Sequence, residues 1–166
     1  YARQGFMVDP QTSTVMLFKD ADQPMAPSSM SKMMTIYIIF EELAAGRLKL
    51  DSRFRVSERA WAMGGSRMFL ELGSEVSVED LIKGMIVQSG NDACVALAEA
   101  IAGSEESFAQ MMNREAKRLG MNASNFTNST GLPDPQLYTT ARDLATLSAA
   151  LIRDFPEEYK KYYSMK

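Results

Sequence analysis

Ser28-Ser29-Met30-Ser31-Lys32-Met33-Met34-Thr35-Ile36-Tyr37-Ile38-Ile39-Phe40 is the stretch around which the chain is arranged. Pro27 and Ser28 read as a helix start, since proline suits the first turn and serine the N-cap. The run from Met33 to Phe40 is almost wholly apolar and continues through Glu41, Glu42, Leu43 and Ala45 to Gly46, a natural residue just past a helix end. A helix that is apolar all round is buried. Ser29 and Lys32 are three residues apart, a turn of about 300° and a rise of about 4.5 Å, so a hydroxyl and an amine share one face within hydrogen-bond reach. An amine acts as a base only in its neutral form, and a poorly hydrated position at the positive end of a helix disfavours an ammonium.

A bare Ser-x-x-Lys match weighs little. With 16 serines and 8 lysines in 166 residues, about 0.8 such matches arise by chance, and a helix cap followed by a solvated lysine is the ordinary explanation. Composition sharpens the reading, because the chain has no histidine. That excludes a Ser-His-Asp triad, a Cys-His pair and the usual zinc sites, so lysine is the leading base for any serine nucleophile. No cofactor or metal is implied.

The remaining composition is that of one globular domain: 46% hydrophobic, 23% charged, net charge -3 without a basic cluster. Nucleic acid is excluded as a partner on that distribution. No apolar run reaches the ~18 residues of a membrane span, and Tyr1-Ala2-Arg3-Gln4 does not open like a signal peptide. The single cysteine, Cys94, lies within Ala93-Cys94-Val95-Ala96 and reads as a small packing residue.

Along the chain, Gly5-Phe6-Met7-Val8 and Val15-Met16-Leu17-Phe18 flank a polar turn and predict a β-hairpin, across which the Ser29 helix is expected to pack. The stretch from Arg47 to Val56 is ambiguous. Ser57 to Met63 predicts a short helix ended by Gly64-Gly65, and Met68-Phe69-Leu70 an extended piece. Ser77 caps a helix to about Val87, with Val76 able to staple against Leu81. Ser89-Gly90-Asn91 forms a tight link to a second helix opening at Asp92, and Ser104-Glu105-Glu106 starts a third, with its acids favouring the helix dipole. Met121 to Tyr138 is a long polar loop, Thr139 or Thr140 caps a helix with Leu144, Leu147, Leu151 and Ile152 on one face, and Pro156 starts a last turn. Two strands followed by about six helices cannot make a stable open sheet.

Ser-x-x-Lys at the mouth of a buried helix and Ser89-x-Asn91 sixty residues later on an interhelical link form a joint pattern associated with penicillin-binding proteins and class A β-lactamases. With Gly65-Ser66-Arg67-Met68-Phe69-Leu70, Gln88 to Glu99, Gly131-Leu132 and Tyr138 to Leu144, the chain resembles the low-molecular-weight penicillin-binding proteins that act as serine-type D-alanyl-D-alanine carboxypeptidases, over nearly its whole length.

That resemblance implies an α/β (α+β) fold of the β-lactamase/transpeptidase-like type, with an N-terminal β-hairpin and a mainly helical subdomain. It implies Ser29 as acylated nucleophile, Lys32 as its base, Ser89 as a proton relay and Asn91 as the group that holds the substrate amide. The implied reaction trims the terminal D-alanine from peptidoglycan stem peptides ending in D-Ala-D-Ala, with β-lactams trapping the same serine, on the periplasmic side of the inner membrane in a bacterial cell envelope. Gly131-Leu132 and Arg142-Asp143 are expected to be loop and helix-cap structure without a chemical role. The family's third motif, Lys-Thr-Gly or Lys-Ser-Gly, does not occur. Residues 1–166 are therefore expected to form one domain incomplete at its C-terminus, its sheet completed by a missing C-terminal segment or a second copy, and any membrane association or export signal is expected in segments outside the chain. The alternatives are a non-catalytic fragment of this fold and a β-lactamase. The β-lactamase is disfavoured because Met121 to Tyr138 lacks the loop glutamate that class A enzymes use for deacylation.

Overall fold

The apolar run becomes the buried helix its composition demands. A computed structural model describes residues 5–9, 14–19, 24–25 and 28–164, with side chains from Met30 to Ser164. Helix α1 (Ser28–Ala44) opens at Ser28, one residue earlier than a Ser28 cap would allow, and Pro27 lies outside the described residues. Met30, Met34, Ile36, Tyr37, Ile38, Ile39 and Phe40 are all buried.

Strands β1 (Gly5–Asp9) and β2 (Thr14–Lys19) pair antiparallel as expected, with a register shift between Met7 and Val8; the hairpin's polar turn at 10–13 lies outside the described residues. Strand β3 (Pro24–Met25) precedes α1. Then follow β4 (Arg53–Arg55), α2 (Glu58–Trp61), β5 (Glu75–Ser77), α3 (Val78–Gln88), α4 (Asn91–Ala102), α5 (Glu105–Leu119), β6 (Thr139–Thr140), α6 (Ala141–Asp154) and α7 (Pro156–Tyr163).

Among the described residues there are thus six strands, where the sequence pattern predicts two, arranged as three separate two-stranded ladders: β1 with β2, β3 with β6, and β4 with β5. The ambiguous Arg47 to Val56 segment resolves as β4, pairing Phe54 with Val76. The β3–β6 and β4–β5 ladders are two or three residues long and carry too few alternations to be read from periodicity. The short β3–β6 ladder ties the chain just before α1 to the end of the 121–138 loop. A second difference concerns the hairpin: α6 lies against β1, while the main neighbours of α1 are α4, α5 and α6. The helix order is therefore α1 inside, with α6 between it and the hairpin.

Helix α4 packs against α1, and its small residues Ala93, Cys94, Ala96 and Ala98 are all buried. Burial pushes the Cys94 thiol up to about 12, which leaves it a packing residue. The far end of α1 is closed by rings: Phe40 stands edge-on to Phe155 at 5.7 Å and stacks on Tyr162 at 5.9 Å. Serine and threonine caps occupy the predicted positions, with Ser57, Ser77, Ser104 and Thr140 accepting from the backbone three residues on. No described helix is long and apolar enough to cross a membrane, and no described cluster of His, Cys, Asp or Glu could hold a metal.

On the back of α1 a polar network fills what the apolar residues leave. Tyr37 donates to Asp154 at 2.7 Å, and Arg118 of α5 reaches the Tyr37 hydroxyl at 3.0 Å, Glu41 at 3.0 Å and Glu115 at 2.7 Å. Burial and the neighbouring Glu115 carboxylate raise Glu41 to about 7 against the opposing pull of Arg118. A carboxyl that binds its proton more tightly when folded contributes stability that is full below its unfolded value near 4.5 and is lost as pH rises through about 7. Glu41→Gln removes that titration, so the variant's melting temperature is expected to gain on the parent's between pH 5 and pH 8. A gap between the two that stays constant across that range would contradict the assignment.

Candidate active site

Three irregular segments meet the start of α1. The first is the two-residue link between α3 and α4. Ser89 closes α3 in the left-handed conformation at φ 53, ψ 39, a position that usually takes glycine or asparagine. A serine there costs about 1 kcal/mol, and it leaves the Ser89 carbonyl accepting a 2.8 Å hydrogen bond from Lys32 Nζ, 57 residues away. Helix α4 then opens at Asn91, one residue before the predicted Asp92, with Gly90 as N-cap and no side-chain cap.

Asp92 is not a cap, because its carboxylate is used elsewhere. It is 1% exposed and accepts from Met68 N and Leu70 N, each at 3.0 Å, and from Ala93 N. These bonds hold the second segment, residues 64–70, as a strap across the link. Asn91 adds two more, donating from its backbone to Ser66 O at 2.7 Å and from Nδ2 to Gly64 O at 2.9 Å. The approach is close enough that a Cβ on Gly65 would stand 2.7 Å from Asn91 Nδ2, and one on Gly84 would stand 2.2 Å from Met68 Sδ. The predicted extended piece at 68–70 is consequently a kink: Phe69, pinned on both sides by Asp92, takes φ 62 and turns its ring to solvent, where the Arg67 guanidinium lies 4.8 Å from its centroid.

The third segment is the 121–138 loop. It has no regular structure beyond a bridge from Asn125 to Tyr138, so buried and half-buried side chains satisfy its backbone. Asp143 accepts from Ala123 N and Ser124 Oγ; Asn113 donates to Phe126 O and accepts from Phe126 N, both at 2.8 Å. Asn128 Oδ1 accepts from Gly131 N at 2.6 Å and Thr130 Oγ1 at 3.2 Å. Asp143, expected as helix-cap structure, thus holds the loop instead, while Thr140 caps α6.

Between these segments lies a cleft of about 470 Å³, to which α1 contributes Lys32, the strap Gly65 and Ser66, helix α4 Asn91, and the loop Thr130 to Asp134 with Leu137. Lys32 and Asn91 therefore meet in one cleft, and half-buried Ser89 joins them through its carbonyl. Ser29 stands in α1 three residues before Lys32; its side chain lies outside the described part of the structure. Asn91 is 3% exposed and its Oδ1 has no hydrogen-bond partner, an acceptor fit for an incoming N–H. A neutral lysine amine can take a proton from a neighbouring hydroxyl. Gly131 and Leu132, expected to be loop structure without a chemical role, line the cleft together with Thr130; the length and polarity of the loop were the available signals.

The sequence profile of the S11 peptidase family, described as D-alanyl-D-alanine carboxypeptidase, matches residues 1–166. The chain is 45% identical over 164 residues to the D-alanyl-D-alanine carboxypeptidase DacC of Escherichia coli, covering 95% of this chain and 41% of that protein. It is 41% identical over 152 residues to DacF of Bacillus subtilis, covering 92% of this chain and 39% of that protein. Among solved structures, the D-alanyl-D-alanine carboxypeptidase DacD of Francisella tularensis superposes with a TM-score of 0.94 at 44% identity, over 97% of this chain and 39% of that one. Penicillin-binding protein 5 of Haemophilus influenzae gives 0.92 at 41%, over 96% and 47%. The chain thus spans about two fifths of the length of the curated relatives it matches.

The strap depends on one carboxylate. Asp92→Ala strands the Met68 and Leu70 backbone donors, each worth about 1–3 kcal/mol when left unsatisfied in a buried place, so a loss of about 2–4 kcal/mol is expected in urea denaturation. Faster amide hydrogen exchange is expected at residues 66–70, and unaltered exchange there would show that the strap is held by other contacts.

Proposed function

The chain belongs to the D-alanyl-D-alanine carboxypeptidase family of peptidases, and from that membership we propose that it forms the acylating part of a serine-type carboxypeptidase that removes the terminal D-alanine from peptidoglycan stem peptides. The observation that carries the reading is the bond from Lys32, three residues after Ser29, to the Ser89 carbonyl, in the cleft that also holds Asn91.

In this mechanism the Ser29 hydroxyl loses its proton to the Lys32 amine as its oxygen attacks the carbonyl of the penultimate D-alanine. The oxyanion is met by the Ser29 backbone N–H at the helix start. The C–N bond breaks, the terminal D-alanine leaves with a proton passed through Ser89, and an ester on Ser29 remains until water hydrolyses it. Asn91 Oδ1, buried and unpartnered, accepts the substrate amide N–H. A β-lactam acylates the same serine and leaves slowly. The enzyme works at the bacterial cell envelope, outside the cytoplasmic membrane.

Among the described residues lining the cleft Lys32 is the single cation, and a base cannot also be the permanent partner of the substrate's terminal carboxylate. The cation for that carboxylate, a second oxyanion donor and the strands that complete the β1–β2 sheet are proposed to lie outside residues 1–166 or in a second copy. The isolated 166-residue polypeptide is accordingly expected to release D-alanine from a D-Ala-D-Ala peptide about 10²-fold or more below the polypeptide that its gene encodes; comparable rates from a verified monomer would overturn that inventory.

Peptide mapping after reaction with a fluorescent penicillin tests the nucleophile. The mass increase is expected on Ser29, and an adduct on Ser28 or Ser31 would overturn the assignment. Lys32→Arg keeps a positive charge that cannot be given up, so acylation is expected to fall about 10²-fold to 10⁴-fold while the melting temperature stays close to the parent's. Near-normal acylation of that variant would restrict Lys32 to charge or packing.

A further inference from the structure

One of the buried acids that have no part in the mechanism above belongs to α5. Glu105 stands in the first turn of α5, where an acid ordinarily faces water and complements the helix dipole. Its neighbour Glu106 does so, exposed and paired with Arg59 at 2.9 Å. Glu105 is 5% exposed instead. Its Oε2 accepts from the Ser129 backbone N–H at 3.0 Å and from Ser129 Oγ at 2.8 Å, and its Oε1 lies 3.3 Å from Arg59. A carboxylate is kept in such a place only by charge-assisted hydrogen bonds that use its lone pairs.

Ser129 is also held from its other side. Its carbonyl accepts from Thr35 Oγ1 at 2.8 Å, a hydroxyl that also lies 2.9 Å from Ser31 O in its own helix, and Thr35 is a fully buried residue of α1, three positions after Lys32. One residue of the loop is thereby gripped at N–H and hydroxyl by α5 and at its carbonyl by the helix that carries the proposed base. The three residues that follow, Thr130, Gly131 and Leu132, are the loop's entry into the cleft. Their shape is set locally, with Asn128 accepting from Thr130 and Gly131 and donating to Leu132 O at 3.1 Å. Local bonds give that turn its form, and Ser129 ties it to α1 and α5.

We propose that Glu105 is a positioning residue of the active site: acting through Ser129, and opposed by Thr35, it fixes Thr130-Gly131-Leu132 at the distance from Lys32 at which an acyl-donor peptide lies in the cleft. The inference rests on the acyl-serine reading given above and adds to it a residue on α5, outside the cleft lining. Because reacting groups tolerate little displacement, a loop released by a fraction of a turn slows the chemistry although no cleft residue has changed.

The test uses the full polypeptide as its gene encodes it. Second-order acylation by a fluorescent penicillin, kcat and KM for D-alanine release, and hydrogen exchange of residues 129–132 are measured for Glu105→Gln, Ser129→Ala, the double variant and Thr35→Val. Each single change is expected to speed exchange at 129–132 and to slow acylation about 10-fold, with the loss in kcat larger than the change in KM. The double variant is expected to be no more than about threefold slower than Glu105→Gln, because both changes remove one contact; independent destabilisation would multiply instead. Thr35→Val, which keeps the volume of the side chain, tests the same point should Glu105→Gln fail to fold. Singles that acylate within twofold of the parent, or a double whose effects multiply, overturn the positioning role alone. A parent that forms no adduct overturns the acyl-serine reading as well.

Discussion

Burying α1 on nearly every side constrains everything around it. A helix whose residues from Met34 to Phe40 are withdrawn from water has to be covered, and regular elements supply only part of the cover. Backbone without regular structure meets the helix as well: the Ser89 carbonyl accepts from Lys32 and the Ser129 carbonyl of the 121–138 loop from Thr35, while the 64–70 strap shares the cleft with Lys32. Buried peptide groups without a ladder or helix need partners of another kind. This chain meets that demand with polar side chains held out of water: Asp92 for the strap, and Glu105 and Asp143 for the loop.

This solution couples stability to geometry. Each such side chain satisfies several donors at once, so removing one strands several groups. The same bonds fix where the irregular segments lie relative to Lys32. The left-handed Ser89 and Phe69 follow from it, both being non-glycine residues in a conformation that local preference disfavours, held there by the bonds on either side. The cleft is lined by the strap, the loop and the first turns of α1 and α4, and its dimensions are those that the buried polar contacts impose.

Much of this was legible in the sequence. The apolar run from Met33 to Phe40 required a buried helix, and Ser57, Ser77, Ser104 and Thr140 marked helix starts because a short hydroxyl side chain satisfies a first-turn donor better than any alternative. The pairing of Ser29 with Lys32 and of Ser89 with Asn91 suggested one site, and the structure brings Lys32, Asn91 and the Ser89 carbonyl together. Less legible were the ladders β3–β6 and β4–β5, whose strands are too short to show a period, and the placement of α6 between α1 and the hairpin.

Two carboxylates mark the division most clearly. Asp92 and Glu105 both stand in the first turn of a helix, where local rules assign an acid to the dipole and to solvent. Those rules placed the helix starts to within a residue. They could not say that Asp92 is turned onto the backbone of Met68 and Leu70, or Glu105 onto Ser129, because each partner lies more than 20 residues away and is reached only after the helices have packed. The sequence by itself determined the buried helix, its Ser-x-x-Lys opening and the family to which the motifs belong, since these depend on spacing along one element. The tertiary structure alone decided which backbone groups would be left unsatisfied around that helix, and hence which acids would be buried to hold the cleft in shape.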